Sequence, residues 1–320
     1  MKSRSKLGML LALGLAAATA QAQNWPDKPV RMIVPFGAGG GTDIQGRLLA
    51  QKFYASMGQT FVVDNRPGAA GLIGAELAVK SPPDGYTILF TTASLSVNVT
   101  LYKKTLTFDP LKDLAPVCWV SSVPLVLVTH PSVPVKSVKE LIALAKRTGK
   151  LNAGSNGAGT TSYLAVEMFK QATGANVTNV PYKGGGPAVT ALISGEVDFE
   201  FGTALAVAPH VKSGKVRALA VTTAKPSKVY PDLPTMTSIY SGFDVDNWYA
   251  MFMPAGTPKP IIDKLHAEIL KGLKSADVEE FMAKEGGQPV GSTPEELTEM
   301  FRREIAKYAR VIESAHIVVQ

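Results

Sequence analysis

The sequence predicts an α/β fold in which helices cover a largely parallel sheet. Short apolar segments alternate with helical patterns from residue 30 onward, as they do in βαβ units. Three of the predicted strands end in a glycine-rich turn that opens a helix. The chain has 320 residues, of which 46% are hydrophobic and 18% charged, and this length favours two domains.

The elements of the N-terminal part follow one another in strand–helix order. Residues 30–34 form a short apolar strand pattern, and a helical pattern then continues to about Met57. Residues 61–63 are predicted to be the next strand. A helix is expected over residues 71–80 and a strand over residues 86–91, separated by a proline- and glycine-containing turn.

A long valine-rich segment, residues 117–128, is predicted to be one strand that passes from one domain to the other. Ser137 and Glu140 have the spacing of a capping box, so a helix is expected over residues 137–146. The same alternation then predicts strands at 150–153, 177–180, 197–201 and 218–222, with helices at 163–173 and 188–194.

Two amphipathic helices are predicted near the end of the chain. The first follows the prolines after Thr257 and extends to Lys274. The second begins at Pro294, because proline suits the first helical position, and extends to about Glu313. Its apolar residues recur at helical spacing: Leu297, Phe301, Ile305, Tyr308 and Ile312.

The first 22 residues have the pattern of a secretory signal peptide. Lys2, Arg4 and Lys6 precede an uncharged run over residues 7–20, and Ala20-Gln21-Ala22 matches a cleavage site. We therefore expect cleavage near Ala22 and export to the periplasm. An uncleaved membrane anchor is the alternative, but the apolar run is shorter than the roughly 20 residues that a transmembrane helix needs.

Charge and motif patterns argue against several classes of site. The net charge is +7, of which the signal region supplies 3, and the remaining basic residues are scattered, so nucleic-acid binding is not expected. The single cysteine and four histidines have no metal-ligand spacing, so no metal is expected. The pattern Gly37-x-Gly39-x-x-Thr42 lacks the third glycine of a dinucleotide site, and no P-loop motif occurs, so no cofactor is expected.

Three glycine-rich turns, at residues 37–43, 154–162 and 184–187, are the candidates for a binding site. The first N–H groups of a helix have no partner within that helix, and the helix dipole adds partial positive charge there. Such a turn can bind a carboxylate or phosphate without a lysine. Each turn alone is also explained by ordinary turn chemistry. Three of them in one chain favour a shared anion site.

The second glycine turn nearly matches the motif that carries the nucleophilic serine of α/β hydrolases. Residues 153–157 read Ala-Gly-Ser-Asn-Gly, which is the GxSxG pattern of α/β hydrolases with its first glycine replaced by alanine. A secreted serine hydrolase that uses Ser155 is therefore an alternative function. It requires a downstream histidine, and His210, His266 and His316 occur without a recognisable motif.

Several segments together resemble one known family. They are residues 25–30 (WPDKPV), 34–36 (VPF), 39–43 (GGGTD), 65–69 (NRPGA), 83–87 (PDGYT), 180–184 (VPYKG), 195–199 (GEVDF), 217–222 (RALAVT), 248–249 (WY) and 254–258 (PAGTP). In this order, and over essentially all of the chain after residue 22, they resemble the solute receptors of tripartite tricarboxylate transporters, also called Bug receptors.

The resemblance implies a two-lobed periplasmic binding-protein fold, with crossing hinge strands and a ligand cleft between the lobes. It implies that lobe one comprises residues 24–124 and 245–320, and lobe two residues 125–244. The expected function is that of a receptor, not an enzyme, that captures a small organic carboxylate and delivers it to the membrane components of a transporter. A monomer is expected, and a ligand sensor of the same fold is a further alternative.

The resemblance also implies which residues hold the ligand. The turns that bind its carboxylate contain Pro35, Phe36, Gly37, Ala38, Gly40, Thr42, Asp43, Ser155, Asn156, Gly157, Thr160, Tyr182, Lys183 and Gly184. The far end of the ligand is expected near Thr92, Ser94, Asp198 and Thr203. Asp43 either stabilises the start of its helix or faces the cleft and selects a cationic group. Residues 200–204 depart from the asparagine-containing pattern of the family, so the ligand is not copied from any relative.

Overall fold

The structure is a computed structural model, and it describes residues 25–223, 226–227, 230–314 and 317. The predicted signal peptide, residues 1–22, lies outside the described residues. Strands and helices alternate along the described chain, which confirms the α/β prediction.

The elements are numbered in chain order. They are β1 (Val30–Val34), α1 (Gly41–Met57), β2 (Phe61–Asn65), a 3-10 turn (Ala69–Gly71), α2 (Leu72–Val79), β3 (Thr87–Thr92), α3 (Ser94–Leu101), α4 (Pro110–Asp113), β4 (Leu114–Thr129), α5 (Val138–Thr148), β5 (Leu151–Ser155), α6 (Thr161–Thr173), β6 (Val177–Pro181), α7 (Gly185–Ser194), β7 (Phe199–Thr203), α8 (Ala204–Lys212), β8 (Arg217–Val221), α9 (Met236–Ile239), β9 (Asp246–Pro254), α10 (Lys259–Leu273), α11 (Ala276–Glu285), β10 (Gln288–Pro289) and α12 (Pro294–Ser314).

The described strands form one sheet in the order β2-β1-β3-β9-β4-β7-β5-β6, and β8 and β10 also pair with β4. β1 is parallel to β2 and β3, and β5 is parallel to β6 and β7. The central strands β4 and β9 run antiparallel to each other and to their other neighbours. The prediction of a largely parallel sheet is therefore right for the two outer groups and wrong for the centre. We call β1, β2, β3 and β9 the first sheet group, and β5, β6, β7 and β8 the second.

The long strand β4 joins the two sheet groups, as the valine-rich segment predicts. Its residues 114–124 pair with β9, and its residues 125–129 pair with β7 and β8. Most of its side chains are buried, because the strand lies in the middle of the sheet. A strand buried on both faces has an almost continuous apolar sequence, and this explains the run of valines.

The last helix covers the first sheet group with the apolar face predicted for it. The ring of Phe301 lies 5.9 Å from that of Trp248 and 5.7 Å from that of Phe252, measured between centroids. Aromatic pairs at such distances add about 0.5–1.5 kcal/mol to the stabilisation that burial supplies. Leu297 and Tyr308, on the same helix face, are also fully buried.

The sequence patterns do not predict α3, α8, α11 or β9. α3 reads Ser-Leu-Ser-Val-Asn-Val-Thr-Leu, and this alternation with β-branched residues favours a strand. The segment is helical because it begins directly after β3 and contacts α12, so tertiary packing overrides its local preference. α8 contains Pro209, a residue that ordinarily interrupts helices. β9 is buried along almost its whole length and therefore lacks a period of two.

Five strands lead directly into a helix. The parallel strands of the first and second sheet groups run in opposite directions, so the carboxyl ends of the two groups face each other. The junctions are β1–α1, β3–α3, β5–α6, β6–α7 and β7–α8. In open sheets of this kind, ligands bind outside the carboxyl ends of the strands. The fold therefore brings five helix N-termini from both sheet groups to one region, and all three glycine turns belong to these junctions.

Candidate functional site

A small cavity lies where these strand–helix junctions meet. It is lined by Phe36, Gly40, Gly41, Thr42, Thr92, Ser94, Asn156, Thr160, Thr161, Gly185, Thr203, Asn247 and Tyr249. Residues of both sheet groups contribute to the lining, so the cavity lies between them. Its volume is about 20 Å³, which is room for roughly one water molecule.

Helix N-termini give the cavity its electrostatic character. Gly41, Ser94, Thr161 and Gly185 line it, and they are the first residues of α1, α3, α6 and α7. The first N–H groups of each helix have no partner within that helix. Because each helix dipole places about half a positive charge at its N-terminus, four such ends favour an anion.

The side chains around the cavity are all uncharged. Nine of the lining residues carry a hydroxyl or an amide, and none carries a carboxylate, an ammonium or a guanidinium group. An anion in this cavity would therefore be held by backbone N–H groups and neutral hydrogen-bond donors. This chemistry suits a carboxylate whose partners are helix ends.

Asp43 stabilises the first glycine turn from outside the cavity. Its Oδ2 accepts a hydrogen bond from the Gly39 N–H at 3.0 Å, and its Oδ1 accepts one from Asn65 Nδ2 at 3.0 Å. Arg47 forms an ion pair with Asp43 at 2.9 Å. Burial alone would raise the pKa of Asp43, but the hydrogen bonds from Arg47, Gly39 and Asn65 lower it on balance. These contacts favour the structural alternative for Asp43 over contact with the ligand.

Tyr249 closes one side of the cavity. It is 1% exposed, and its hydroxyl lies beside Thr203 and Asn247. Burial raises the pKa of Tyr249 above its ordinary value, so the phenol is neutral. A methyl group on Gly41 would overlap the Tyr249 hydroxyl oxygen. The glycine at this position therefore lets the start of α1 approach Tyr249 closely.

The second glycine turn is tied to the crossing strand β9. Thr161 Oγ1 donates a hydrogen bond to Asn247 Oδ1 at 3.1 Å. Thr160 caps α6, because its Oγ1 accepts a hydrogen bond from the Tyr163 N–H at 3.2 Å. The Asn156 amide faces Gly185 at the start of α7. These contacts fix the second turn relative to both β9 and the third turn.

The first and third glycine turns touch across the cavity. The Gly37 N–H donates to the Lys183 carbonyl at 3.1 Å. A methyl group on Gly186 would overlap the Ala38 carbonyl oxygen. The two backbones are therefore in direct contact, and the two sheet groups lie closed over the cavity.

The structure brings about half of the expected site residues into the lining. These are Phe36, Gly40, Thr42, Thr92, Ser94, Asn156, Thr160 and Thr203. The neighbouring turn residues, which do not line the cavity, are Pro35, Gly37, Ala38, Ser155, Gly157, Tyr182, Lys183 and Gly184. The Lys183 side chain is exposed, and the Tyr182 hydroxyl donates to Glu196 Oε1 at 2.6 Å.

Asp198 lies away from the cavity. It precedes β7, whereas Thr203, at the other end of that strand, lines the cavity. Its Oδ2 accepts a hydrogen bond from the Asn152 N–H at 2.7 Å, so the carboxylate joins the starts of β5 and β7.

Five further residues line the cavity: Gly41, Thr161, Gly185, Asn247 and Tyr249. The first three lie within the predicted glycine turns, but the sequence does not single them out as site residues. Asn247 and Tyr249 belong to β9, and although residues 248–249 are part of the family pattern, neither Asn247 nor Tyr249 is among the expected site residues.

The nucleophile geometry of a hydrolase is not present among the described residues. Ser155 is fully buried, and its Oγ has no hydrogen-bond partner there. His266 Nε2 instead contacts the Ser292 carbonyl at 2.9 Å. His316 lies outside the described residues. Without a base on its hydroxyl, Ser155 lacks the activation that a nucleophilic serine needs.

In the part of the chain that the structure describes, no group of three or more histidine, cysteine, aspartate or glutamate side chains is placed to hold a metal ion. No helix there is both long enough and apolar enough to cross a membrane.

The comparisons with known proteins indicate the same family. Residues 46–317 match the family described as "Tripartite tricarboxylate transporter family receptor". Protein BugT of Bordetella pertussis is 39% identical over 310 residues, which cover 96% of this chain and 95% of BugT.

Solved structures agree with this match. Rpa4515 of R. palustris, solved with adipate, has a TM-score of 0.88 at 35% identity and covers 92% of this chain and 99% of its own. MatC of Rhodopseudomonas palustris, solved with bound malate, has a TM-score of 0.85 at 30% identity and covers 90% of this chain and 100% of its own. The family consists of two-lobed periplasmic solute-binding receptors, not enzymes, which rules out the hydrolase alternative. The chain belongs to the tripartite tricarboxylate transporter receptor family, whose members include the Bug proteins.

Proposed function

We propose that this receptor captures a small carboxylate-bearing organic anion in the cavity between its lobes and delivers it to the membrane components of a tripartite transporter. The observation that carries the proposal is the convergence of four helix N-termini on a cavity without charged side chains. The carboxylates bound by two structural relatives, adipate and malate, support the same ligand class.

The two lobes comprise residues 24–124 with 245–320, and residues 125–244. The pairing of β4 supports this division, because its partner changes from β9 to β7 and β8 between Pro124 and Leu125. The return crossing falls at β9, which begins at Asp246. Both crossings lie in paired strands, which suits a hinge that bends without breaking the sheet.

Affinity requires more than helix ends. Four helix ends at about 0.3–1 kcal/mol each fall short of the −8.2 kcal/mol or so that a micromolar complex needs. Hydrogen bonds from both lobes, formed as they close over the ligand, supply the difference. Since the first and third glycine turns are in contact over the cavity, the lobes separate to admit the ligand.

The receptor is exported and acts as a monomer in the periplasm. The charged, apolar and small-residue pattern of residues 1–22 supports cleavage near Ala22 by a signal peptidase. Mass spectrometry of the protein recovered from the periplasm of an expressing cell tests this through the N-terminal residue.

A thermal-shift screen of residues 23–320 against aliphatic and aromatic carboxylates and amino acids tests the function. A ligand that binds the folded state raises Tm by mass action, by RT ln(1 + [L]/Kd) in free energy. We expect carboxylates of one chemical class to raise Tm. The proposal is wrong if no carboxylate raises Tm and denatured protein releases no small acid by mass spectrometry.

A further inference from the structure

An ionisable side chain lies at the point where the chain crosses back between the two sheet groups. β9 begins at Asp246, and Asp246 lies opposite Pro124 in β4. The next residue of β4, Leu125, is the one at which that strand changes partner from β9 to β7. Asp246 is partly buried and does not line the cavity. It therefore has no part in the site described above, although it belongs to the crossing.

Three hydrogen bonds hold Asp246 in place. Its Oδ2 accepts one from Ser122 Oγ at 2.5 Å, and its Oδ1 accepts one from the Asn247 N–H at 2.8 Å. Pro124 has no N–H to donate, and the Asp246 carbonyl accepts a hydrogen bond from the Tyr308 hydroxyl at 3.0 Å. These bonds join the start of β9 to both β4 and α12.

The Asp246 carboxyl group and the cavity lie on opposite faces of β9. Successive side chains of a strand point to opposite faces. Asn247 and Tyr249 line the cavity, whereas Trp248 packs against Phe301 of α12 with ring centroids 5.9 Å apart. Asp246 belongs to the face of Trp248. Its carboxyl group is therefore separated from the cavity by the thickness of one strand.

Asn247 connects Asp246 to the second glycine turn. Its N–H donates to the Asp246 carboxyl group, and its Oδ1 accepts a hydrogen bond from Thr161 Oγ1 at 3.1 Å. Thr161 is the first residue of α6 and lines the cavity. Asp246 therefore acts on the cavity through Asn247, because it fixes the backbone from which the Asn247 side chain reaches the second sheet group.

Carboxyl groups outnumber cations around Asp246. The Lys307 ammonium lies 3.6 Å from Asp244 Oδ2 and 3.4 Å from Glu304 Oε1, so several carboxyl groups share one cation. Burial raises the pKa of Asp246 to about 6, and Ser122 and Lys307 lower it only in part. Asp246 therefore changes its charge between about pH 5 and pH 7. The titratable groups that act on Asp246 or share a partner with it are Asp244, Tyr249, Glu304, Lys307 and Tyr308.

The charge of Asp246 disfavours a negative charge in the cavity. Burial raises the pKa of Tyr249, which lines the cavity, and the Asp246 carboxylate raises it further. The charge therefore acts across the strand. A ligand carboxylate in the same cavity meets the same repulsion between like charges. By linkage, the bound anion raises the pKa of Asp246, and ligand affinity falls as the pH rises through about 6.

From these contacts we infer that Asp246 is a positioning residue that holds Asn247 at the crossing, and that capture of the anion is linked to uptake of a proton by Asp246. The inference rests on the proposed function and adds a control by pH to it. Binding is strongest when Asp246 is neutral, and release is favoured when Asp246 loses its proton.

The pH dependence of ligand affinity tests this inference, by isothermal titration calorimetry on residues 23–320 at pH 5 and pH 8. The probes are malate and adipate, the acids bound by two relatives. If neither binds, the carboxylate with the largest thermal shift replaces them. Asp246→Asn removes the charge but keeps an oxygen that can accept the Asn247 N–H. Because parent and variant are titrated with the same ligand, the ligand's own protonation cancels.

We expect the ratio of Kd at pH 8 to Kd at pH 5 to be about 3- to 10-fold larger for the parent protein than for Asp246→Asn, which corresponds to a shift of about 0.5–1 in the pKa of Asp246. Asp263→Asn is the matched control, because it also removes one negative charge but lies on α10, where Asp263 is exposed and paired with Lys259. Its ratio should equal that of the parent.

Ser122→Ala gives an independent test of the assignment. The Ser122 hydrogen bond lowers the pKa of Asp246, so its removal should move the midpoint of the affinity profile to higher pH. A midpoint that stays or falls overturns the assignment to Asp246.

Proton uptake can be measured on the parent protein alone, should Asp246→Asn fail to fold. Titrations near pH 6.5 in two buffers with different enthalpies of ionisation should show uptake of about 0.2–0.5 proton per bound ligand. Absence of uptake, or equal Kd ratios for the parent and Asp246→Asn, overturns the inference and leaves the proposed function intact. If no carboxylate binds at either pH, the proposed function is overturned as well.

Discussion

The backbone N–H of Gly37 donates to the carbonyl of Lys183 at 3.1 Å, and this bond joins the first glycine turn to the third across the cavity. The two residues are far apart in sequence and follow strands of different sheet groups. Their contact holds the two turns together over the cavity, so that the starts of α1 and α7 face the same space. Closure therefore depends on two backbones meeting without side chains between them.

Gly186→Ala should prevent this closure. Its methyl group would overlap the Ala38 carbonyl oxygen, which is backbone and cannot move aside. We expect ligand affinity to fall at least about 10-fold while the fold remains stable, because the overlap lies between lobes rather than within one. Calorimetric titration and urea unfolding measure the two effects. Gly272→Ala, in α10, is the control. Its methyl group would make only ordinary van der Waals contacts, so ligand affinity and the free energy of unfolding should both change little.

Gly41→Ala should also weaken binding, by a different contact. Its methyl group would overlap the Tyr249 hydroxyl oxygen, so α1 or Tyr249 must shift at the cavity wall. Adding Tyr249→Phe removes that oxygen and should recover part of the affinity. A double-mutant cycle measures the coupling, which we expect to exceed about 0.5 kcal/mol. If Gly41→Ala and Tyr249→Phe have additive effects on ligand affinity, the overlap with the Tyr249 hydroxyl is not the cause of the weaker binding.

Asp43→Ala should lower stability more than it lowers ligand affinity. It removes an ion pair and two hydrogen bonds at the start of α1, and we expect a loss of about 1–3 kcal/mol in the free energy of unfolding at pH 7. A hundredfold loss of affinity in protein that is still folded would instead place the carboxylate in contact with the ligand.

Asp43 also makes the free energy of unfolding depend on pH. The pKa of Asp43 is lowered in the folded protein, so its contribution is fully present above about pH 4 and is lost as the pH falls through the lowered pKa. Urea unfolding between pH 7 and pH 3 should therefore show the variant and the parent protein converging at low pH.

Glu200 should destabilise the folded protein as the pH rises. It is fully buried, neither carboxyl oxygen has a hydrogen-bond partner among the described residues, and burial raises its pKa to about 8. The unfolded chain releases this proton near pH 4.5, so stability falls between about pH 4.5 and pH 8 and then levels off. Glu200→Gln should equal the parent protein at pH 5 and exceed its unfolding free energy by ~1–4 kcal/mol at pH 8. A pH-independent effect would contradict this account.

The local patterns predict most of the scaffold and only part of the site. Capping by Ser137, the apolar face of α12 and the valine-rich crossing strand are all local in sequence, and each appears where it is expected. Asn247 and Tyr249 could not be predicted, because β9 is buried on both faces and its pattern does not indicate which side chains face a ligand.

Asp198 shows a second limit of sequence patterns. The segment around it is correctly predicted to form a strand, but Thr203, at the carboxyl end, is the residue that reaches the cavity. Which end of a strand faces the site depends on the direction of its neighbours in the sheet. That direction becomes known from the pairing of β7 with β4 and β5.

In the proposed function, helix N-termini rather than charged side chains bind the carboxylate. The most direct measurement compares, by calorimetry on residues 23–320, the tightest-binding carboxylate of the panel with its neutral amide. The amide keeps the shape but lacks the negative charge, so we predict that it binds at least about 100-fold more weakly, which corresponds to about 2.7 kcal/mol. Equal binding of the acid and its amide would contradict the account.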